Sequence, residues 1–197
     1  MTNSTIDDFV QHVGEMPSHG LVIIAGPVGS GKTTTMQRIE KACVRDGKRG
    51  RYFRIGKEEP ARGSGLMFVR NILPDNLSPE DTEKWKKSVR TSAARFDPHG
   101  VFIDDFDKQE VDMAEAVVNM ALTGSLVVIS IEANTAEEAL AYLYDANHIH
   151  PNPNSLVAFT SPQILVQHVH EGQNGPEFSA EIVNVDVDFH KKISYTE

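Results

Sequence analysis

The sequence contains a single cysteine, Cys43. One thiol cannot close an intramolecular disulfide, so the fold does not depend on an oxidising compartment and the expected location is cytoplasmic. Long apolar runs are missing as well. Stretches such as Leu126 to Ile129 fall far short of the roughly 20 residues of a membrane helix. The polar, acidic start from Met1 to Asp8 has neither the basic flank nor the apolar segment of a secretory signal. Direct membrane insertion is therefore not expected. Positive charge is scarce: 19 Lys and Arg against 28 Asp and Glu leave a net charge of −9. Proteins that bind nucleic acid by neutralising phosphates carry the opposite sign, so nucleic acid is not an expected partner. No internal repeat, low-complexity tract or linker is visible.

What is present is ordinary globular composition, 40% hydrophobic and 24% charged, in 197 residues. That length suits one core and is short for two, so residues 1–197 are read as a single domain. A short helix is expected around Ile6 to Val13. The run Leu21-Val22-Ile23-Ile24-Ala25 does not alternate and reads as a fully buried strand of a parallel sheet. After a glycine-rich turn, Lys32 to Asp46 places Met36, Ile39, Cys43 and Val44 at helical spacing. Cys43 is accordingly read as core. Further strands are expected at Arg51 to Ile55, Val101 to Ile103 and Leu126 to Ile131. Helices are expected from Ser78 to Arg95, from Val111 to Leu122 with Gly124 as the stop, and from Thr135, which forms a capping box with Glu138, to Tyr144. Gly56 to Ser64 carries no assignable pattern. Gln163 to His170 and Phe178 to Val187 read as an antiparallel hairpin joined by Glu171 to Pro176. The fold class is α/β: a mostly parallel sheet flanked by helices, closed by that C-terminal antiparallel hairpin.

Gly26-Pro27-Val28-Gly29-Ser30-Gly31-Lys32-Thr33 satisfies G-x-x-x-x-G-K-[ST] between a buried strand and a helix, the context a phosphate-binding loop requires. Glycines let backbone N–H groups close around a β-phosphate, and the helix N-terminus adds partial positive charge. Lys32 can bridge β- and γ-oxygens, and the Thr33 hydroxyl can ligate Mg²⁺. The expected ligands are thus ATP and Mg²⁺, held by Gly26, Pro27, Gly29, Ser30, Gly31, Lys32, Thr33 and Thr34. A magnesium nucleotide needs a further acidic anchor at the end of a neighbouring strand. Val101-Phe102-Ile103-Asp104-Asp105 offers two carboxylates that leave the strand in different directions. Asp104 is assigned to the metal and Asp105 to the attacking water, with the two roles interchangeable at this stage. The plainer reading is a polar strand end before a solvated turn, since Asp107, Glu110 and Asp112 follow closely.

The order of further blocks resembles the secretion and type IV pilus ATPases, especially their pilus-retraction branch. Gly20-Leu21-Val22 leads into the P-loop and its Thr33-Thr34-Thr35 tail, and Val28 stands where that family carries threonine. Glu58-Glu59-Pro60 is similar to the family's Glu-Asp-Pro "Asp box". That likeness places Glu58 and Glu59 at the metal shell, with Glu59 counted among the catalytic residues beside Lys32 and Asp105. Arg95-Phe96-Asp97-Pro98 and Ala121-Leu122-Thr123-Gly124 are similar to blocks that flank the family's Walker B strand. The resemblance implies a mostly parallel RecA-like P-loop NTPase sheet and a motor that hydrolyses ATP to ADP and phosphate. It also implies a homo-oligomeric, hexameric ring with nucleotide between subunits, a secretion or pilus machinery protein as partner, and peripheral placement at the inner membrane through that partner.

Three departures bear on the chemistry. Asp104-Asp105 replaces the family's Gly-Glu, and Glu132 stands near the position of its histidine, where negative charge would repel a γ-phosphate. The family's N-terminal domain, which supplies arginines to the site, has no counterpart in the short stretch before Gly20. Loss of an arginine finger costs about 10³ or more in rate, so intrinsic hydrolysis is expected to be slow. Arg54, Arg62, Arg70, Arg90 and Arg95 are the nearby replacements, each more simply a solvated or ion-paired surface residue. The alternative function is therefore a nucleotide-binding assembly or regulatory module with little turnover; a small-molecule kinase ranks third. His168 and His170 would share a face of their strand, but without a cysteine pair or H-E-x-x-H helix they give only a weak metal signal. The basic cluster Arg45, Lys48, Arg49, Arg51 and Arg54 reads first as a helix end complemented by cations.

Overall fold

In the computed structural model, the residues described are 4–16, 19–45, 51–56, 66–70, 80, 98–106, 111–145, 162–172 and 175–189. The unbroken apolar run after Gly20 forms β1 (Gly20–Gly26), every residue of which is buried. A strand of that kind needs hydrocarbon on both faces, and two layers of helices supply it. Leu21, Ile23 and Ala25 pack in one cluster with Val117 of α3 (Val111–Leu122) and with Leu140 and Leu143 of α4 (Ala136–Asp145). Val22 and Ile24 pack on the opposite side with Phe9 and Val13 of α1 (Ser4–Glu15) and with Met36, Ile39 and Cys43 of α2 (Lys32–Arg45). The alternation along β1 thus divides one strand between two cores. Cys43 is buried, as its place on the apolar stripe of α2 predicts.

The remaining strands are β2 (Tyr52–Gly56), β3 (Leu66–Arg70), β4 (Gly100–Ile103), β5 (Leu126–Glu132), β6 (Gln163–Gly172) and β7 (Gly175–Asn184). They form one sheet in the order β3-β2-β4-β5-β1-β6-β7. All neighbours pair in parallel except β6 and β7, which form the expected hairpin. The two strands that lead into the predicted phosphate and metal residues, β1 and β4, are not adjacent; β5 lies between them and pairs with both. Because the three run in parallel, their carboxyl ends open on one edge of the sheet, where open α/β sheets bind ligands.

Local signals explain most boundaries. Helix α3 ends in a Schellman arrangement: the N–H of Ser125 donates to the carbonyl of Met120 at 3.0 Å, and that of Gly124 to Ala121 at 3.3 Å. Thr135 caps α4 by accepting the Glu138 N–H at 3.1 Å. The Glu138 carboxylate reaches back to the N–H of Asn134 at 2.7 Å, one residue before the position a simple capping box would use. Two features differ from expectation. Strand β3 was not foreseen, because four apolar residues followed by an arginine, without alternation, do not separate strand from helix. The hairpin is tighter than predicted, with β7 running from Gly175 to Asn184 and Pro176 paired opposite Glu171. An edge strand tolerates proline, so Pro176 belongs to the strand and not to the turn. The helix expected over Ser78 to Arg95 and the stretch between β2 and β3 lie outside the described residues. Among the described residues no helix is long and apolar enough to cross a membrane.

Candidate nucleotide site

The loop between β1 and α2 carries the phosphate-binding pattern, and its backbone takes the shape that the glycines permit. Gly29 and Gly31 have φ of 81° and 92°, a region side chains disfavour, which turns the chain back on itself before α2 begins. Lys32, the first residue of α2, folds over the loop: its Nζ donates to the carbonyls of Gly26 and Pro27, each at 2.8 Å. Burial lowers the Lys32 pKa from its ordinary value of 10.5, partly offset by the nearby carboxylates of Glu132, Asp105 and Asp104. Farther along α2, the Thr35 hydroxyl accepts from Nε2 of buried Gln167 on β6 at 3.1 Å, tying the helix to the sheet.

The acidic half begins where β4 ends. Asp104 continues the ladder with its N–H donating to the Ile55 carbonyl at 2.9 Å, and its side chain is buried. Asp104 Oδ1 accepts from the Thr33 hydroxyl at 3.3 Å and from the Ser130 hydroxyl at 2.8 Å, and Oδ2 accepts from Arg54 Nη2 at 2.7 Å. Asp105 has φ of 60°, the one non-glycine residue with positive φ among those described. Its N–H donates to the Ser130 Oγ at 2.7 Å, while its side chain is exposed. Such a backbone, uncommon for a residue with a Cβ, turns consecutive carboxylates apart: Asp104 inward, Asp105 outward.

A cavity of about 460 Å³ lies between these halves. The loop and α2 contribute Val28, Gly29, Gly31, Lys32, Thr33 and Thr34; the ends of β4 and β5 contribute Asp104, Asp105, Ser130 and Glu132. Glu132 pairs in register with Gly26 and is exposed. Of the residues predicted from sequence, Gly26 and Pro27 supply the carbonyls that hold Lys32, and the others named face the cavity, except Ser30, which is buried. Glu58 and Glu59 lie outside the described residues, as do Arg62, Arg90 and Arg95 and the side chain of Arg70. Arg54 corrects an expectation: it is ion-paired as foreseen but wholly buried, not at the surface.

Ser130 and Glu40 were missed as members of this network, and Arg54, named only as a candidate arginine donor, was not expected to pair with Asp104. A lone serine in an apolar strand and a lone arginine at the middle of another were the available signals. Among the described residues no three His, Cys, Asp or Glu side chains converge as a metal site by themselves. The donor set nevertheless fits a magnesium nucleotide. Mg²⁺ usually takes one or two carboxylates and completes its shell with water and phosphate oxygens, and the Thr33 hydroxyl already stands beside Asp104 Oδ1. The buried Ser30 Oγ has no hydrogen-bond partner among the described residues, a polar group left over under the loop. His168 and His170 do share a face, their rings stacked at 6.0 Å on β6.

The sequence pattern of the AAA domain (dynein-related subfamily) matches residues 21–122, about half of the chain, from β1 to the end of α3. The chain belongs to that family. This AAA domain is also similar to secretion and type IV pilus ATPases. It is 26% identical over 157 residues to the competence protein ComGA of Bacillus subtilis, covering 73% of this chain and 36% of that protein. It is 28% identical over 128 residues to the type IV pilus assembly ATPase TfpB of Acinetobacter baylyi, covering 65% of this chain and 20% of that one. The chain therefore spans only a fifth to about a third of these relatives. The Legionella pneumophila ATPase DotB shares the fold, with a TM-score of 0.71 at 15% identity over 98% of this chain and 53% of that one. The resemblance first read from the motif order thus holds in both sequence and fold.

Proposed function

We propose that this AAA domain is a Mg²⁺-dependent, ATP-hydrolysing motor core of the secretion and type IV pilus kind, acting as one domain over residues 1–197. The observation that carries the reading is the meeting of Thr33 and Asp104 across β5. A hydroxyl at the front of the P-loop helix and a carboxylate at the end of a non-adjacent strand are joined at 3.3 Å. In this reading the loop amides bind the β-phosphate and Lys32, already drawn over the loop, reaches the β- and γ-oxygens. Thr33 and Asp104 hold the metal, with Glu58 and Glu59 assigned to the same shell by the motif likeness. Mg²⁺, when bound, supplies charge neutralisation between the transferring phosphoryl group and the leaving oxygen. Asp105, exposed at the cavity, orients the attacking water and takes its proton. The names of ComGA and TfpB support a competence or pilus machine as partner, and the motif likeness extends this to secretion machinery. A hexameric ring with nucleotide between subunits, and peripheral placement at the inner membrane through that partner, follow from the same likeness.

One observation favours a slower second reading, a nucleotide-binding assembly or regulatory module. Among the described residues lining the cavity, Lys32 is the cation facing three carboxylates, Asp104, Asp105 and Glu132. Calorimetric titration of ATP with Mg²⁺, paired with steady-state phosphate release, tests both. Binding together with release well above that of Lys32→Ala supports the motor. Binding with release equal to that variant supports the module, and no heat with ATP and Mg²⁺ sinks both.

A further inference from the structure

Behind the cavity, Arg54 crosses from the middle of β2 to two carboxylates that are far apart in sequence. Its side chain is only 1% exposed. Nη2 donates to Asp104 Oδ2 at 2.7 Å, Nη1 is paired with Glu40 of α2, and Nε has no hydrogen-bond partner among the described residues. The guanidinium therefore directs its two terminal arms to two separate elements: the strand end bearing the metal-side carboxylate and the helix that begins with the P-loop lysine. A planar fork with fixed donor directions can do this; a lysine ammonium, a compact point charge on a flexible stem, cannot hold both geometries at once.

We propose that Arg54 is a positioning residue for the metal shell: it fixes the Asp104 carboxylate so that Oδ1 is presented to Thr33 and to a Mg²⁺–nucleotide, with Glu40 balancing its charge. The inference deepens the nucleotide reading and depends on it. A carboxylate turns easily about its terminal torsion, which has no sharp rotamer wells. Without Arg54, Asp104 would be held through one oxygen only, by the Ser130 and Thr33 hydroxyls. With Arg54 on Oδ2, both oxygens are assigned before a ligand arrives, and Oδ1 is the one directed at the loop. The pairing also joins the two halves of the site, since Glu40 lies on the helix that Lys32 opens. Burial raises the Glu40 pKa despite the pull of Arg54, the cost of keeping this carboxylate away from water.

The test measures the coupling between magnesium and nucleotide, which is reciprocal and independent of turnover. The affinity of the whole chain for a non-hydrolysable ATP analogue is determined with Mg²⁺ and with EDTA, and the ratio of the two dissociation constants is the coupling factor. The variant is Arg54→Met with Glu40→Met, which removes one positive and one negative charge and leaves the net charge unchanged. Removing Arg54 and Glu40 together avoids leaving Glu40 buried without its cation, while Asp104 keeps only its hydroxyl partners, so a cooperative melt of the variant is recorded first. The expected result is a coupling factor reduced about tenfold, within the range typical of coupled sites, with affinity in EDTA within about twofold of the original. A coupling factor equal to the original in a cooperatively unfolding variant overturns the proposal. So does an equal loss in EDTA, which would place the defect in the loop as a whole. If the double variant does not fold, Arg54→Lys decides: reduced coupling supports the fork, unchanged coupling overturns it. Should the original chain bind no nucleotide at all, the nucleotide reading itself falls; binding with coupling that the variants leave intact removes only the role of Arg54.

Discussion

Replacing Gly26 by alanine probes whether the phosphate loop is held by packing or by its backbone angles alone. A Cβ at this position would stand 2.4 Å from the Ser30 Oγ, 2.5 Å from the Gln167 carbonyl oxygen and 3.1 Å from the Ser30 Cβ. The Ser30 hydroxyl can rotate, because it has no hydrogen-bond partner among the described residues. The Gln167 carbonyl belongs to β6 and is part of the sheet backbone, so relief there requires moving the strand or the loop. Overpacking of this kind costs about 1–3 kcal/mol. For a domain of this size, that lowers the melting midpoint by roughly 2–12 °C, taking 2–4 °C per kcal/mol. The loop is the softer partner, so its amides move and nucleotide affinity falls with stability. Ser30→Ala in the Gly26→Ala background removes the nearest atom but neither the carbonyl nor the Ser30 Cβ, so rescue should be partial. A double-mutant cycle read by thermal melting and calorimetry measures this. A Gly26→Ala chain that melts and binds like the original would refute the packing argument, as would full rescue by Ser30→Ala.

Two further outcomes follow from the site. For Glu40 the folded pKa lies above the ordinary 4.5, chiefly through burial. The folded state therefore holds its proton where the unfolded state has lost it, and stability falls as pH rises through that window. Glu40→Gln should match the original chain near pH 4 and be the more stable of the two above neutrality, in urea melts across pH; the reverse order would mean that Arg54 outweighs desolvation. For Asp105 at φ 60°, Asp105→Gly should be more stable than Asp105→Ala by about 1 kcal/mol, inverting the usual order of these two residues. Both variants should lose phosphate release, and urea melts showing alanine the more stable would reject the strained backbone.

The fold was legible where a segment's own chemistry decided its surroundings. The unbroken run in β1 required two apolar layers, the glycine-rich pattern required a strand before it and a helix after it, and Gly124 and Thr135 marked helix ends through backbone bonds a few residues away. Legibility failed where the partner was distant. Nothing in Tyr52-Phe53-Arg54-Ile55 says that the arginine is buried between Glu40 and Asp104, because the strand order that joins them is a tertiary fact. Ser130 was read as one more strand residue, although it accepts from the Asp105 N–H and donates to Asp104. The start of β7 was misplaced because proline was given its turn meaning, which an edge strand does not enforce.

Strand β5 works as a ruler inserted between the two sides of the cavity. Its register sets Glu132 beside Gly26 and its Ser130 beneath the paired aspartates. Sliding it by a single position would put Ile129 or Ile131 where that hydroxyl stands, exchanging the one side chain that both donates and accepts there for hydrocarbon. Any graft of this cavity onto another scaffold would consequently have to transplant the spacer together with the two walls it separates.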